Sequence, residues 1–295
     1  MTVGAVAKKQ SNFSRILTGI WDEFVYGGHL LSVSDASMVL AIIIILDKPV
    51  SWQLVSIAYL IPQTVYSLNH MKELKVDKRT NPERVLYLER TIRIYPFVVT
   101  LYIVLLVGFL LYLSNLSVII LVLFIGLAGI LYPKEITKKI VGFKNYYVGL
   151  FSAAAACLLP CIFYRLTNSS MYMYLCLFIF LRLFLNTIYF DIKDYDSDKE
   201  RGLKTIAVYL GIKKTVLLLS IINIVSGLVI IGLVLMKMTS YFTLGLAFVS
   251  LYSFIYLRIT DKLNGPKLRQ ISYLMVDGEY IFWPIFLLIF KVILG

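Results

Sequence analysis

Two groups of oxygen-bearing side chains stand out in the sequence. Asn69, Glu73 and Asp77 are spaced four residues apart. Each such step turns an α-helix by only about 40°, so the three form a stripe on one face. In the second group Asp191, Asp194 and Asp198 fall within a helical arc of about 60°, with Asp196 pointing elsewhere. Carboxylates this dense repel one another unless cations intervene. Mg²⁺ takes oxygen ligands, usually one or two carboxylates completed by phosphate oxygens and water. Arg84 follows the first group and Lys193 lies within the second; both suit phosphate oxygens. The chemistry that fits is ionisation of a diphosphate ester. Metal ions would stabilise the leaving charge as an allylic C–O bond breaks. Aromatic faces, plentiful among 21 Tyr and 18 Phe, would stabilise the cation left behind. Either group alone also fits a solvated loop of mixed charge. That explanation weakens when both groups occur at equivalent ends of apolar runs.

Those runs dominate the chain. Of 295 residues, 59% are hydrophobic and 16% charged, against about 45–50% apolar in soluble domains. A membrane-crossing helix needs about 20 mostly apolar residues. The pattern predicts nine spans, at 31–47, 51–69, 96–114, 116–133, 146–165, 171–190, 213–235, 240–259 and 272–294. The predicted fold is an all-α membrane protein with nine transmembrane helices. It forms one polytopic domain over 1–295, made of an N-terminal cytoplasmic or interfacial segment (1–30) and a nine-helix bundle (31–295). The first acidic group leaves the second run and the second group ends the sixth. Ionisable groups near membrane depth are costly and usually functional.

Charge placement supports the odd span count. With nine spans, all but five of the 29 lysines and arginines fall on one face; the exceptions are Lys48, Arg165, Arg182, Lys237 and Lys291. The positive-inside rule makes that face cytoplasmic, together with the N-terminus and both acidic groups, and puts the C-terminus on the opposite side. Topology thus accounts for the net charge of +12, and no nucleic-acid partner is expected. The basic start of the chain lacks the apolar core of a cleaved signal peptide. Cys157, Cys161 and Cys176 lie inside apolar runs and read as buried apolar residues.

With these motifs in place, the chain resembles the UbiA superfamily of intramembrane prenyltransferases. The family's first motif reads approximately NDxxDxxxD and its second DxxDxxxD, often preceded as YxxxKD. Here the first is Asn69-xxx-Glu73-xxx-Asp77 and the second Asp191-xx-Asp194-xxx-Asp198, with Tyr189, Lys193 and Asp194 matching the preceding form. Asn81-Pro82-x-Arg84, Gly202 to Thr205, and the stretch from Tyr132 through Lys138 and Lys139 to Asn145 also look like family segments. The resemblance covers nearly the whole chain. It implies a helical bundle around a central cavity and Mg²⁺-dependent transfer of a prenyl group from its diphosphate to a hydrophobic, aromatic or lipid acceptor. It further implies that Asn69, Glu73, Asp77, Asp191, Asp194 and Asp198 hold metal and diphosphate. Arg84 and Lys193 would contact the diphosphate, and Tyr189 would lie near the reacting carbon or the diphosphate. Two departures fall in the first motif: His70 replaces the usual Asp, and Glu73 is one methylene longer than Asp.

A terpene cyclase on the same scaffold would use the same ionisation without a separate acceptor. A transporter would call for charged or broken helices at mid-span in both halves, whereas these acids gather at one face. Among the remaining polar residues, His29, Asp35, Arg182, Asn186, Asp277 and Glu279 become cavity residues if they face inward.

Overall fold

The computed structural model describes residues 12–131, 136, 139–166 and 169–294; the side chains of 12–15, 70–77, 79–80 and 169 are outside the description. All described regular elements are helical. The chain opens with α1 (Asn12–Tyr26), which bends by 56° into α2 (His29–Ile45). Gly27 and Gly28 make that bend. Gly28 has φ +88°, and a Cβ on Gly27 would lie 2.4 Å from the Glu23 carbonyl oxygen. A side chain would be strained at either position.

Next come α3 (Trp52–Thr80), α4 (Pro82–Thr91), α5 (Tyr95–Leu113) and α6 (Leu116–Ile130). Pro82 both stops α3 and starts α4, since it lacks an N–H and has a preset φ. The second half contains α7 (Phe143–Phe163), α8 (Ser169–Lys193), α9 (Tyr195–Glu200), α10 (Ile206–Leu210) and α11 (Ile212–Leu235). A 3₁₀ turn (Tyr241–Leu246) leads into α12 (Ala247–Thr260), followed by α13 (Gly265–Ile271). A π-helical segment (Ser272–Asp277), a 3₁₀ turn (Gly278–Ile281) and α14 (Phe282–Leu294) complete the chain.

Helical segments occur at each of the nine predicted runs, but their lengths differ from expectation. Among the described residues, five helices are long and apolar enough to cross a membrane, or six if α1 and α2 count as one bent span. The shortfall has local causes. The helix predicted to end at 69 carries polar residues such as Gln53, Gln63 and Asn69 within its apolar stretch, and it continues as a charged helix to Thr80. Helix α6 has 15 residues. The last run is broken into π and 3₁₀ turns before the 13-residue α14.

Helix α8 is the central element, with α7 packed along one side and α11 along another. Gly149 of α7 lets the two backbones approach: an added Cβ would lie 3.4 Å from the backbone of Phe184. One apolar core joins α2, α3, α7, α8 and α14 around Ile43, Ile57, Leu159, Phe178 and Trp283. A second surrounds the end of α8 with Ile188, Tyr189, Leu219 and Tyr256. The outer face of α5 exposes Phe97, Leu101, Val104 and Leu111, a surface suited to lipid.

Candidate active site

Between α2, α3, α6, α7, α8 and the π-helical segment lies a cavity of about 580 Å³. Its polar end is lined by Asn69, Asn81, Arg84, Lys193, Asp194 and Asp198. Both halves of the chain contribute. Asn81 and Arg84 are delivered by the Pro82 break, and the other group by the end of α8 and by α9.

The lysine and the amide form one network. Lys193 Nζ donates to Asn81 Oδ1 at 2.8 Å and to Asp194 Oδ1 at 2.6 Å, and the Tyr273 hydroxyl donates to the same Asn81 oxygen at 2.5 Å. The ammonium also lies 5.6 Å from the Phe190 ring centroid and 5.8 Å from that of Tyr273, within cation–π range. Beside it, Arg269 forks onto Glu83 at 3.0 and 2.6 Å, tying α13 to α4. Burial pushes the Glu83 carboxyl up, but hydrogen bonds from Arg269 outweigh it and hold the group below its ordinary range.

Helix α8 does not run through the second motif as a continuous helix. It ends at Lys193; Asp194 adopts φ −95°, ψ 7°, and α9 begins at Tyr195. The predicted arc of three aspartates is therefore divided. Asp194 and Asp198 line the cavity, whereas Asp196 is exposed, as its phase predicts. Asp191 is fully buried outside the lining. Its Oδ1 accepts from Lys144 Nζ at 2.8 Å and its Oδ2 from Asn145 Nδ2 at 2.6 Å. Tyr189 also faces away: its hydroxyl lies 2.8 Å from Thr260 Oγ1 and its ring packs edge-on against Tyr256. Helical phase explains both displacements. The lining residues of α8 are Asn186, Thr187, Phe190 and Lys193, a stripe centred near Phe190, and Tyr189 and Asp191 sit about 100° to either side of it.

The donor set suits a hard cation. Asp198 Oδ2 is buried and has no hydrogen-bond partner. Burial, with the charges of Asp191 and Asp194, pushes this carboxyl up to about 6 against the opposing pull of Lys144 and Arg201. A cation would relieve that. Among the described residues no three metal-binding side chains come together. Glu73 and Asp77, expected as further ligands, lie outside the described side chains, as does His70. The backbone of α3 is helical through all of them. Tyr132 and Lys138 of the middle loop are also outside the description.

Sequence reasoning passed over Lys144 and Tyr273, and singled out Asn145 only as the end of a family-like segment. Lys144 looked like one more topogenic charge. A signal did exist: it opens an apolar run on the face where Asp191 closes another. Of the other polar residues, Asp35, Asn186 and Asp277 line the cavity. Arg182 and Glu279 pair with each other in the bundle interior, and His29 binds Glu23 and Tyr59.

The UbiA prenyltransferase family model matches residues 33–278. The chain belongs to the UbiA prenyltransferase family. With its apolar helices, it is a multi-pass integral membrane protein. Its fold is similar to that of a UbiA homologue from Aeropyrum pernix K1, with TM-score 0.66 and 13% identity over 90% of this chain and 97% of that one. A UbiA homologue from Archaeoglobus fulgidus bound to GPP and Mg²⁺ aligns with TM-score 0.63 and 14% identity over 90% and 99%. A digeranylgeranylglyceryl phosphate synthase aligns with TM-score 0.57 and 13% identity over 92% and 98%. No curated protein matches the sequence significantly.

Proposed function

We propose that this UbiA-family protein is an intramembrane prenyltransferase that ionises a prenyl diphosphate with Mg²⁺ and passes the prenyl group to a hydrophobic acceptor. The observation that carries the reading is a single cavity with Arg84, Lys193, Asp194 and Asp198 at one end and apolar side chains such as Met38, Val39, Ile125 and Leu159 along its length. A diphosphate fits the first part and an isoprenoid chain the second. A relative of the same fold binds GPP and Mg²⁺, which supports the same ligand class here.

In this reading Asp194 and Asp198 hold metal from the second motif, and Asn69, Glu73 and Asp77 hold it from the first. Mg²⁺ would neutralise charge on the departing diphosphate. Arg84 and Lys193 contact its oxygens. Lys193 is held ready by Asn81 and Asp194. Asp191 orients Lys144 rather than binding metal, and Tyr189 supports the helix packing beneath the site. All nine helical segments belong to one polytopic domain embedded in the bilayer, the last of them broken by π and 3₁₀ turns. The basic loops, and with them the acidic motifs, face the cytoplasm.

The test is release of inorganic diphosphate from geranylgeranyl diphosphate by the purified full chain. Release should require Mg²⁺ and be lost in Asp194→Ala and Asp198→Ala. Full activity in those variants would sink the proposal. Formation of a cyclic hydrocarbon or alcohol without an acceptor would show a cyclase instead.

A further inference from the structure

The cavity is deep and ends blind. On α3 its lining runs from Asn69 at the polar end to Ala58, and on α7 from Lys144, which meets Asp191 there, to Leu159. At about 1.5 Å per residue these stretches measure about 16 and 22 Å. The floor is made by Met38 and Val39 of α2, Ala58 of α3, and Ala156 and Leu159 of α7, all of them buried. Behind the floor, Ile42, Ile43, Leu54, Phe178 and Ile179 belong to the same apolar core and do not line the cavity. A packed core resists the insertion of even one extra methylene, so this end of the cavity is a wall. Asp35 stands three residues before Met38, about 5 Å above the floor, and from there down the described lining is apolar.

Four carbon–carbon bonds of about 1.5 Å each advance a fully extended isoprene unit by about 5 Å. A chain of four units therefore needs about 20 Å at full stretch, and one of eight about 40 Å, far beyond either lining stretch. We propose that the floor at Met38, Ala58, Ala156 and Leu159 limits the prenyl donor to about four isoprene units. The protein then uses diphosphates up to geranylgeranyl length and discriminates against longer polyprenyl diphosphates. This inference rests on the prenyltransferase reading above and names its donor. Met38 and Leu159 are the specificity-determining side chains, because cutting both to alanine opens room for about one further unit. Ala156 lies one turn before Leu159 on the same helix face, so a phenyl ring there fills the space of about one unit.

The test compares diphosphate release from geranyl, geranylgeranyl, geranylfarnesyl (one unit longer) and octaprenyl diphosphates by the full chain in nanodiscs with Mg²⁺. Each preparation is compared with itself across substrates, so ratios of kcat/KM do not depend on how much of it folds. Wild type should favour geranylgeranyl over octaprenyl diphosphate by at least about tenfold, since one methylene too many in a closed apolar pocket already costs about that much. Leu159→Ala with Met38→Ala should raise the geranylfarnesyl-to-geranylgeranyl ratio by about fivefold or more, and Ala156→Phe should lower the geranylgeranyl-to-geranyl ratio by about the same factor. Leu159→Ala alone should move the first ratio in the same direction and keeps the test usable if the double variant does not fold. Equal use of octaprenyl and geranylgeranyl diphosphates, or ratios unmoved in the variants, would overturn the inference, because the tail would then leave between helices into lipid. The absence of release from all four substrates would overturn the prenyltransferase reading and this inference with it, whereas release without length discrimination defeats the length limit alone.

Discussion

Helix α8 carries two clusters of charge that differ in one respect. At mid-helix, Arg182 is fully buried and its guanidinium is saturated. It binds Glu279 and Ser253, with Asn223 Oδ1 at 2.5 Å and Ser226 Oγ at 3.4 Å. The other Glu279 oxygen receives the Tyr256 hydroxyl at 3.0 Å and Ser253 at 2.8 Å. None of these groups lines the active-site cavity. At the end of the same helix, Lys193, Asp194 and Asp198 border open space, and Asp198 Oδ2 has no partner. In the proposed reading, a charged group in this bundle takes part in chemistry where its hydrogen bonding is incomplete and it faces the cavity. Closed on itself, the same kind of group holds helices together.

The comparison can be broken by substitution. The largest effect on stability should come from Arg182→Ala, which strands Glu279 in the interior. Removing one partner of a buried pair costs about 3–5 kcal/mol, measured by denaturant unfolding in detergent. A near-neutral result would mean that the mid-helix network is not structural. At the other end, Asp194→Ala removes the ion-pair partner of the buried Lys193 ammonium, so unfolding should also be easier, by less than in Arg182→Ala because Asn81 still accepts from that ammonium. Diphosphate release should fall by about 10²–10³-fold, the scale of losing one electrostatic contact to developing charge.

Asp191 sharpens the boundary between the clusters. If it serves Lys144 and Asn145, Asp191→Asn should cost about 1–3 kcal/mol in stability and leave most diphosphate release intact. A loss of activity as deep as that of Asp194→Ala would restore it as a metal ligand. The smallest effect belongs to Tyr189→Phe, which removes one buried hydroxyl bond to Thr260. It should cost about 1 kcal/mol and barely change turnover. A large fall in activity with normal stability would place the tyrosine at the reaction after all.

Much of this was legible in the sequence. The apolar runs located the helical segments because lipid exposure demands long apolar stretches. The motif residues at Asn69, Arg84, Lys193, Asp194 and Asp198 were visible by type and spacing, and all five line the cavity. Residues that join distant segments were not legible. Lys144 lies 47 positions before Asp191, and Tyr273 lies 192 positions after Asn81. Nothing local in either pair announces the other.

The sequence by itself determined the helical, membrane-embedded character of the chain, its family and the kind of ligand its acids suit. These follow from composition, period and motif, which are properties of neighbouring residues. Only the tertiary structure decided which acids share a cavity. That depends on the break of α8 at Asp194, on the phase that turns Tyr189 and Asp191 out of the lining, and on the packing that brings Asp35 and Asp277 into it. A one-residue step rotates a helical side chain by about 100°. Adjacent members of a motif can therefore face a substrate, a lysine or the protein core, and spacing alone does not tell them apart.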